Sequence, residues 1–403
     1  YGQGRTYGDG CLNDGGVLLE TSMLDRIRSF DPETGVLEAE AGLTLGNLLR
    51  FSVPRGWFLP VSPGTQFVSL GGAVANDIHG KNHHRSGTFG RHVLEIELER
   101  SADGLLRCGP ESKSDLFSAT IAGLGLTGLM RSVKLQLKPI QSPYFDVETI
   151  KFDRVEEFFE IAGDSDKNFE YTVAWIDCVN ARPHLGRGLF MRGNHSLART
   201  PHELNDLPKP SLLQVPIDFP PFALNRFTLG MFNTLYFHKQ SAKRVMSRQH
   251  YRPFFYPLDA VYGWNRIYGK RGFLQFQCVV PSHGEKAPIK QILERVVRFG
   301  KASFLAVIKE FGELQSPGML SFPRPGVTIC LDFPMDGEST IRLFRELEEI
   351  VVASGGALYP AKDACMKPES FQAFYPRWRE FSDFVDPLLS SSFWRRVTTN
   401  GKG

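Results

Sequence analysis

The sequence predicts an α+β protein of two domains, and three observations carry that prediction. The chain has 403 residues, 42% of them hydrophobic, which at ~100–200 residues per domain is material for two packed units. Residues 16–140 alternate short apolar runs with glycine-bearing turns, a mixed α+β rhythm. Residues 273–361 instead run strand–helix–strand–strand–helix–strand, the split βαβ layout of an antiparallel sheet with helices on one face.

The elements follow in order. Residues 17–20 and 36–41 read as strands. Thr44 is placed to cap a short helix carrying Leu45, Leu48 and Leu49, which Pro54 and Gly56 end. Pro63-Gly64-Thr65 is a turn. Ser69 is the N-cap of a helix whose Gly71 and Gly72 let its start approach a ligand closely. Strands follow at 93–99 and 133–137. The proline-rich stretch 194–225 reads as a long irregular connection, and the basic run 238–252 as a solvated helix face able to attract anionic lipid headgroups. Beyond it, 273–280 is a strand. Ile289, Ile292, Leu293, Val296 and Val297 have helical spacing up to Gly300. Residues 303–311 and 327–333 are strands, 339–353 is a helix closed by Gly355 and Gly356, and 357–361 is a last strand.

Composition removes several function classes. The formal net charge is +3 and its Lys and Arg residues are scattered, so no nucleic-acid partner is expected. No apolar run approaches the ~18–20 residues that span a bilayer. Six cysteines lie far apart with no CxxC pair, which argues against a zinc ribbon or a disulfide scaffold and suits a reducing compartment. The expected location is the cytoplasm or the periphery of the cell membrane. The chain opens at Tyr1 inside a glycine-rich run, as expected of a sequence that lacks a leading segment.

Three loops and one sheet face carry the chemistry. The run Gly2-Gln-Gly4-Arg5-Thr6-Tyr7-Gly8-Asp9-Gly10 fails as a GxGxxG fingerprint because Tyr7 stands where the last glycine belongs. It is still dense enough in glycine to form a backbone nest for a diphosphate. His79-Gly-Lys-Asn-His83-His84 invites a metal reading, but Gly80 and Asn82 oppose a helix and no glutamate stands where HExxH needs one. No metal is expected, and His79, just past the glycine-bearing helix, is the member best placed for a ligand. Lys362, in Tyr359-Pro-Ala-Lys-Asp363, leaves a strand end, where desolvation can free it of its proton. Period-two alternation puts Gln275 and Gln277 on one side of their strand, and Thr328, Cys330 and Asp332 on one side of another. That is either a solvated sheet face or a surface that reads hydroxyl groups.

Taken together, GQGRTYGDG, PGT…SLGGAVANDIHGKNHHRSGTFGRHV, WNRIYG…GFLQFQ, SFLAVIKEFG, TICLDFP and LYPAKD resemble the flavoenzymes that oxidise decaprenylphosphoryl-β-D-ribose. These belong to the FAD-binding superfamily of vanillyl-alcohol oxidase and p-cresol methylhydroxylase, and the resemblance runs from residue 1 to about residue 400. It implies a PCMH-type FAD-binding domain over 1–143, a substrate domain over 144–356, and a C-terminal return over 357–403. It implies non-covalent FAD, because Arg5 stands where histidyl-linked members carry histidine. The cofactor would be held by Gly2, Gly4, Arg5, Thr6, Tyr7, Gly8, Asp9, Gly10, Gly64, Thr65, Ser69, Leu70, Gly71, Gly72, Asn76, Asp77, Ile78, His79 and Tyr359. Gln275, Gln277, Lys309, Cys330 and Lys362 would line the substrate, with Ala306 and Thr328 standing where family members have asparagine. The implied reaction is oxidation of a sugar secondary hydroxyl to a ketone by hydride transfer to flavin N5, at carbon-2 of a polyprenylphosphoryl ribose. Lys362, Tyr7 and His79 are the candidates for the hydroxyl proton, Lys362 foremost. The implied partners are a lipid-linked sugar phosphate, an NAD-dependent reductase that completes an epimerisation, and the membrane surface. The connection at 209–232 would act as a lid along the lipid tail. The alternative is a soluble aldonolactone- or alditol-type oxidase that uses oxygen.

Overall fold

The computed structural model describes residues 1–180, 183–206, 213–220, 223–282, 287–300 and 305–399. Two antiparallel sheets organise it. The smaller has five strands in the spatial order Ile27–Phe30, Val36–Glu40, Leu129–Gln136, Val93–Arg100 and Gly104–Cys108. The larger has eight: Arg244–His250, Tyr144–Phe152, Gly188–His195, Tyr171–Ile176, Ala306–Phe311, Gly326–Pro334, Phe273–Val280 and Ala357–Leu358.

The caps stand where the sequence puts them. Thr44 accepts from the Asn47 N–H at 3.2 Å to start the Leu45–Ser52 helix. Ser69 accepts from the Gly72 N–H, also at 3.2 Å, to start Leu70–Ala75, in both cases satisfying a donor the helix leaves orphaned. Other readings are corrected. Residues 17–20 form no strand; Val17, Leu18 and Leu19 lie exposed. The last strand stops at Leu358 because Pro360 cannot donate into a ladder, and Pro360–Lys362 coils as a 3-10 turn. The basic run holds a strand, Arg244–His250, at the edge of the large sheet; an exposed edge rich in Lys and Arg resists pairing with other chains. Residues 303–304 of the expected 303–311 strand lie outside the described residues.

The split βαβ unit spans only half of the large sheet. Tyr144–Phe152, Tyr171–Ile176, Gly188–His195 and Arg244–His250, with helices Val155–Ser165 and Arg226–His238, repeat the same strand–helix order before it. Helices Val155–Ser165, Ala287–Phe299 and Glu338–Ala353 cover one face and share a core with Phe276, Ile308, Ile329, Leu331 and Phe333. The other face meets the small-sheet half, where Phe145, Val147 and Tyr171 join the core of Phe58, Leu70, Phe254 and Phe255. Helix Arg226–His238 departs from the expected one-sided arrangement by laying Tyr236 and Phe237 against Trp175 on that second face.

Candidate active site

The seam between the two halves is where the polar residues converge. Register assigns their face: Gln275 pairs with Asp332 and Gln277 with Cys330, while Lys309 pairs with Thr328 and Val307 with Cys330. Directly opposed residues of an antiparallel pair point the same way, so these form one wall. Ala306 pairs with Leu331 and lies in the helix-covered core. It therefore faces away from the wall, and its departure from the family pattern does not touch the site. Thr328 does face it, accepting from Gln277 Nε2 at 3.3 Å.

The opposing side comes from the small-sheet half and the C-terminal turn. Tyr7 packs edge-on to Phe273, with ring centroids 5.5 Å apart. Lys362 Nζ stands 3.9 Å from the centre of the Tyr7 ring, a cation–π contact that fixes the end of a flexible chain. His79 Nε2 lies 3.0 Å from Gln277 Nε2. An amide nitrogen only donates, so His79 accepts there and carries its proton on Nδ1, which is buried without a partner among the described residues. Phe311, Phe322 and Tyr359 enclose the imidazole, and Tyr359 OH donates to the Asn76 carbonyl at 2.9 Å.

Burial dominates the electrostatics. It pushes His79 well below the usual histidine range, with Lys309 adding to the effect, so the ring is neutral. It lowers Lys309 to about 8 and also lowers Lys362, against the pull of Cys330 and Asp332. It raises the Cys330 thiol to about 12, raises the Tyr7 phenol with Asp332 and Cys330 assisting, and lifts Asp332 to about 6. Tyr7 is thus a phenol and Cys330 a thiol at neutral pH, while burial loosens the protons of both Lys309 and Lys362.

The glycine-rich loop fits between the Leu70–Ala75 helix and the 359–364 turn. Gly8 is left-handed (φ 71°), and a Cβ there would stand 2.0 Å from the Asp363 carbonyl oxygen; only glycine allows that approach. A Cβ on Gly2 would stand 2.4 Å from Ser69 Oγ, whereas one on Gly64 would meet nothing within 4 Å, so Gly64 borders open space. Several of the expected cofactor residues also have polar groups engaged within the fold. Asp9 is held by Arg396, which also grips Asp363, at 2.7 and 2.9 Å. The Asp77 carboxylate accepts from the Gly90 N–H and from Ser316 and Ser321. The N–H groups of Tyr7, Leu70, Gly71 and Gly72 go to Ala361 O, Leu43 O, Ala41 O and Ser69 Oγ, so what these residues offer a ligand is shape rather than donors. The Asn76 amide donates to Gly72 O, and Ile78 is buried. Arg5 lies over Phe67, Thr65 Oγ1 accepts from the Phe67 N–H, and Thr6 and Gly10 pack on each other. The loop, the open side of Gly64 and the unpartnered His79 N–H together fit a flat, acceptor-bearing dinucleotide such as FAD.

Two residues outside the expected set belong here. Asp332 shares the alternation of Cys330, and its register partner is Gln275; Tyr268 reaches the same carboxylate at 3.4 Å. The remaining histidines do other work. His83 is buried against Phe311, 4.5 Å between centroids, and His84 Nε2 lies 2.9 Å from the Phe169 carbonyl.

An FAD binding domain family matches residues 1–109. The chain is similar to a decaprenylphosphoryl-β-D-ribose oxidase of Mycolicibacterium smegmatis, 38% identical over 412 residues, covering 98% of this chain and 88% of that protein. It is similar over 88% of its length to an uncharacterized protein in the mprA 5′ region of Streptomyces coelicolor, 33% identical and matched along 100% of that protein. A putative D-arabinono-1,4-lactone oxidase of Neurospora crassa shares 29% identity over 30% of this chain and 22% of its own length.

Proposed function

This chain belongs to the decaprenylphosphoryl-β-D-ribose oxidase family and is an FAD-dependent oxidoreductase, and from that premise we propose that it oxidises a secondary hydroxyl of a lipid-linked ribose, at carbon-2, to a ketone. The observation that carries the reading is the seam itself, where a neutral His79, Lys362 and Tyr7 face a wall of Gln275, Gln277, Cys330 and Lys309. The likeness to a lactone oxidase covers less than a third of the chain.

When bound, FAD supplies the two-electron acceptor for the carbinol hydrogen. The chain supplies the rest. Lys362 takes the hydroxyl proton: burial lowers both its pKa and that of Lys309, a base works best when its pKa approaches the working pH, and Lys362 is the one that stands across from the amide wall against Tyr7. Tyr7 is a poor base, since its phenol is raised, and it serves by holding Lys362. His79 has spent its acceptor nitrogen on Gln277 and keeps an N–H for the cofactor side. Lys309, charged below pH about 8, suits the substrate phosphate.

The lipid tail and a peripheral membrane contact are part of the same proposal. Phe227, Met231 and Leu235 are exposed at four-residue spacing on helix Arg226–His238, one turn apart on one stripe, with Lys239 and the basic edge strand beside them. The helix takes up residues 226–232 of the 209–232 connection, of which 209–212 and 221–222 lie outside the described residues. The same proposal includes an NAD-dependent reductase partner that returns a hydride to the ketone with inversion, and a location in the cytoplasm or at the periphery of the cell membrane.

Anaerobic reduction of the FAD-loaded protein tests the reading. Polyprenylphosphoryl-β-D-ribose should bleach the flavin where free pentoses and aldonolactones do not. Equal bleaching by the free sugars overturns it in favour of a soluble oxidase. Sedimentation with anionic vesicles, lost in a Phe227→Ser/Met231→Ser/Leu235→Ser variant, tests the membrane contact.

A further inference from the structure

The carboxamide of Gln275 has two donors at one end and an acceptor at the other, and its surroundings decide which end a substrate meets. Gln275 lies directly across from Asp332 in the ladder, and its Nε2 donates to Asp332 Oδ1. The second carboxylate oxygen accepts from Tyr268 OH at 3.4 Å. An ionised carboxylate has lone pairs and no proton, so it can hold an amide only by the N–H end. The other end of the amide, Gln275 Oε1, is left buried with no partner among the described residues, on the face that carries Gln277, Cys330 and Lys309. A buried acceptor without a donor is unfavourable, and a sugar hydroxyl supplies what is missing.

We infer that Asp332 is a positioning residue that locks the Gln275 amide with its carbonyl oxygen left for the ligand, so that this wall selects its sugar by a hydroxyl that donates a hydrogen bond. The inference rests on the functional reading above and adds to it the polarity of one contact. Asp332 acts through Gln275 and does not itself touch the sugar. A sugar that presents only an acceptor at this point leaves Oε1 unpaired and is rejected, the penalty that makes hydrogen-bonding pockets discriminate more sharply than apolar ones.

The test uses the FAD-loaded protein with polyprenylphosphoryl-β-D-ribose and its 3-deoxy-3-fluoro and 5-deoxy-5-fluoro analogues, since fluorine approximates a hydroxyl in size but cannot donate. Dissociation constants from calorimetry and anaerobic flavin reduction are read in parallel. In the wild type one fluoro sugar should bind at least about tenfold more weakly than the parent. In Asp332→Asn, whose amide can offer either end to Gln275, that gap should close to within about threefold. Gln275→Leu removes the acceptor, keeps Asp332, and should close it equally, which covers the case of an Asp332→Asn protein that takes up no FAD. Equal binding of all three sugars by the wild type overturns the inference, as does undiminished discrimination in either FAD-loaded variant. If the parent sugar neither binds nor reduces the wild type, the functional reading falls and takes the inference with it, a result distinct from binding without discrimination.

Discussion

The two faces of the large sheet are built from alternate residues of the same strands, yet they do opposite work. Toward the helices the strands present Phe276, Cys278, Ala306, Ile308, Ile329 and Leu331, all buried among hydrophobic neighbours. Toward the seam the intervening positions present Gln275, Gln277, Lys309, Thr328, Cys330 and Asp332. One face removes apolar surface from water, at about 25 cal/mol per Å². The other desolvates a lysine, a thiol and a carboxylate, with Lys362 facing them across the seam, and every one of those groups is shifted away from its charged form. A protein keeps such a face because chemistry needs it, and the covered face supplies the stability that offsets it.

Substitutions can break or sharpen that contrast. The largest effect is expected from Lys362→Ala on the seam side: flavin reduction by the lipid-linked ribose should fall about 10²–10⁴-fold while FAD content stays at the wild-type level. Normal reduction kinetics in this variant would remove Lys362 from the reaction. On the covered side, Leu331→Ala should cost about 2–5 kcal/mol of stability, read in urea, with reduction per bound flavin unchanged. If instead activity falls with little change in stability, the two faces are not separable in this way.

The acid dependence gives a finer test. Burial raises Asp332 from 3.8 to about 6, so between about pH 4 and 6 the native carboxyl keeps a proton that the unfolded chain has released. Folding stability should therefore fall as pH rises through that window and level off above it, by about 3 kcal/mol at full effect. Melting curves of Asp332→Asn should lack this slope, and Leu331→Ala should retain it. The smallest effect is expected at Gln277→Leu. Losing the amide that holds His79 should cost about 1 kcal/mol, roughly fivefold in the rate of reduction, with the melting temperature little changed; a wild-type rate would show that His79 needs no such support.

Much of this was legible without a structure, and the reason differs from element to element. Thr44 and Ser69 read as caps because an N-cap is a contact over three residues. The polar side of 275–277 and 328–332 read correctly because strand alternation is a two-residue rule. The same locality misled at residues 17–20, where a strand-like run finds no neighbour to pair with, and at 238–252, where a basic pattern said nothing of the ladder it joins. Asp332 showed its face but not its partner, since register lies in the sheet and not in either strand.

The sequence by itself determined the glycine positions of the opening loop, the helix starts, and the division of each later strand into an apolar and a polar side, all consequences of local geometry. Only the tertiary structure decided that Gln277 meets His79 across 198 residues, that the Asp9 carboxylate is bound to Arg396, and that Ala306 looks away from the wall. Those outcomes depend on which distant surfaces bury one another, and the free energy of a buried polar group is set by partners that its own segment does not contain.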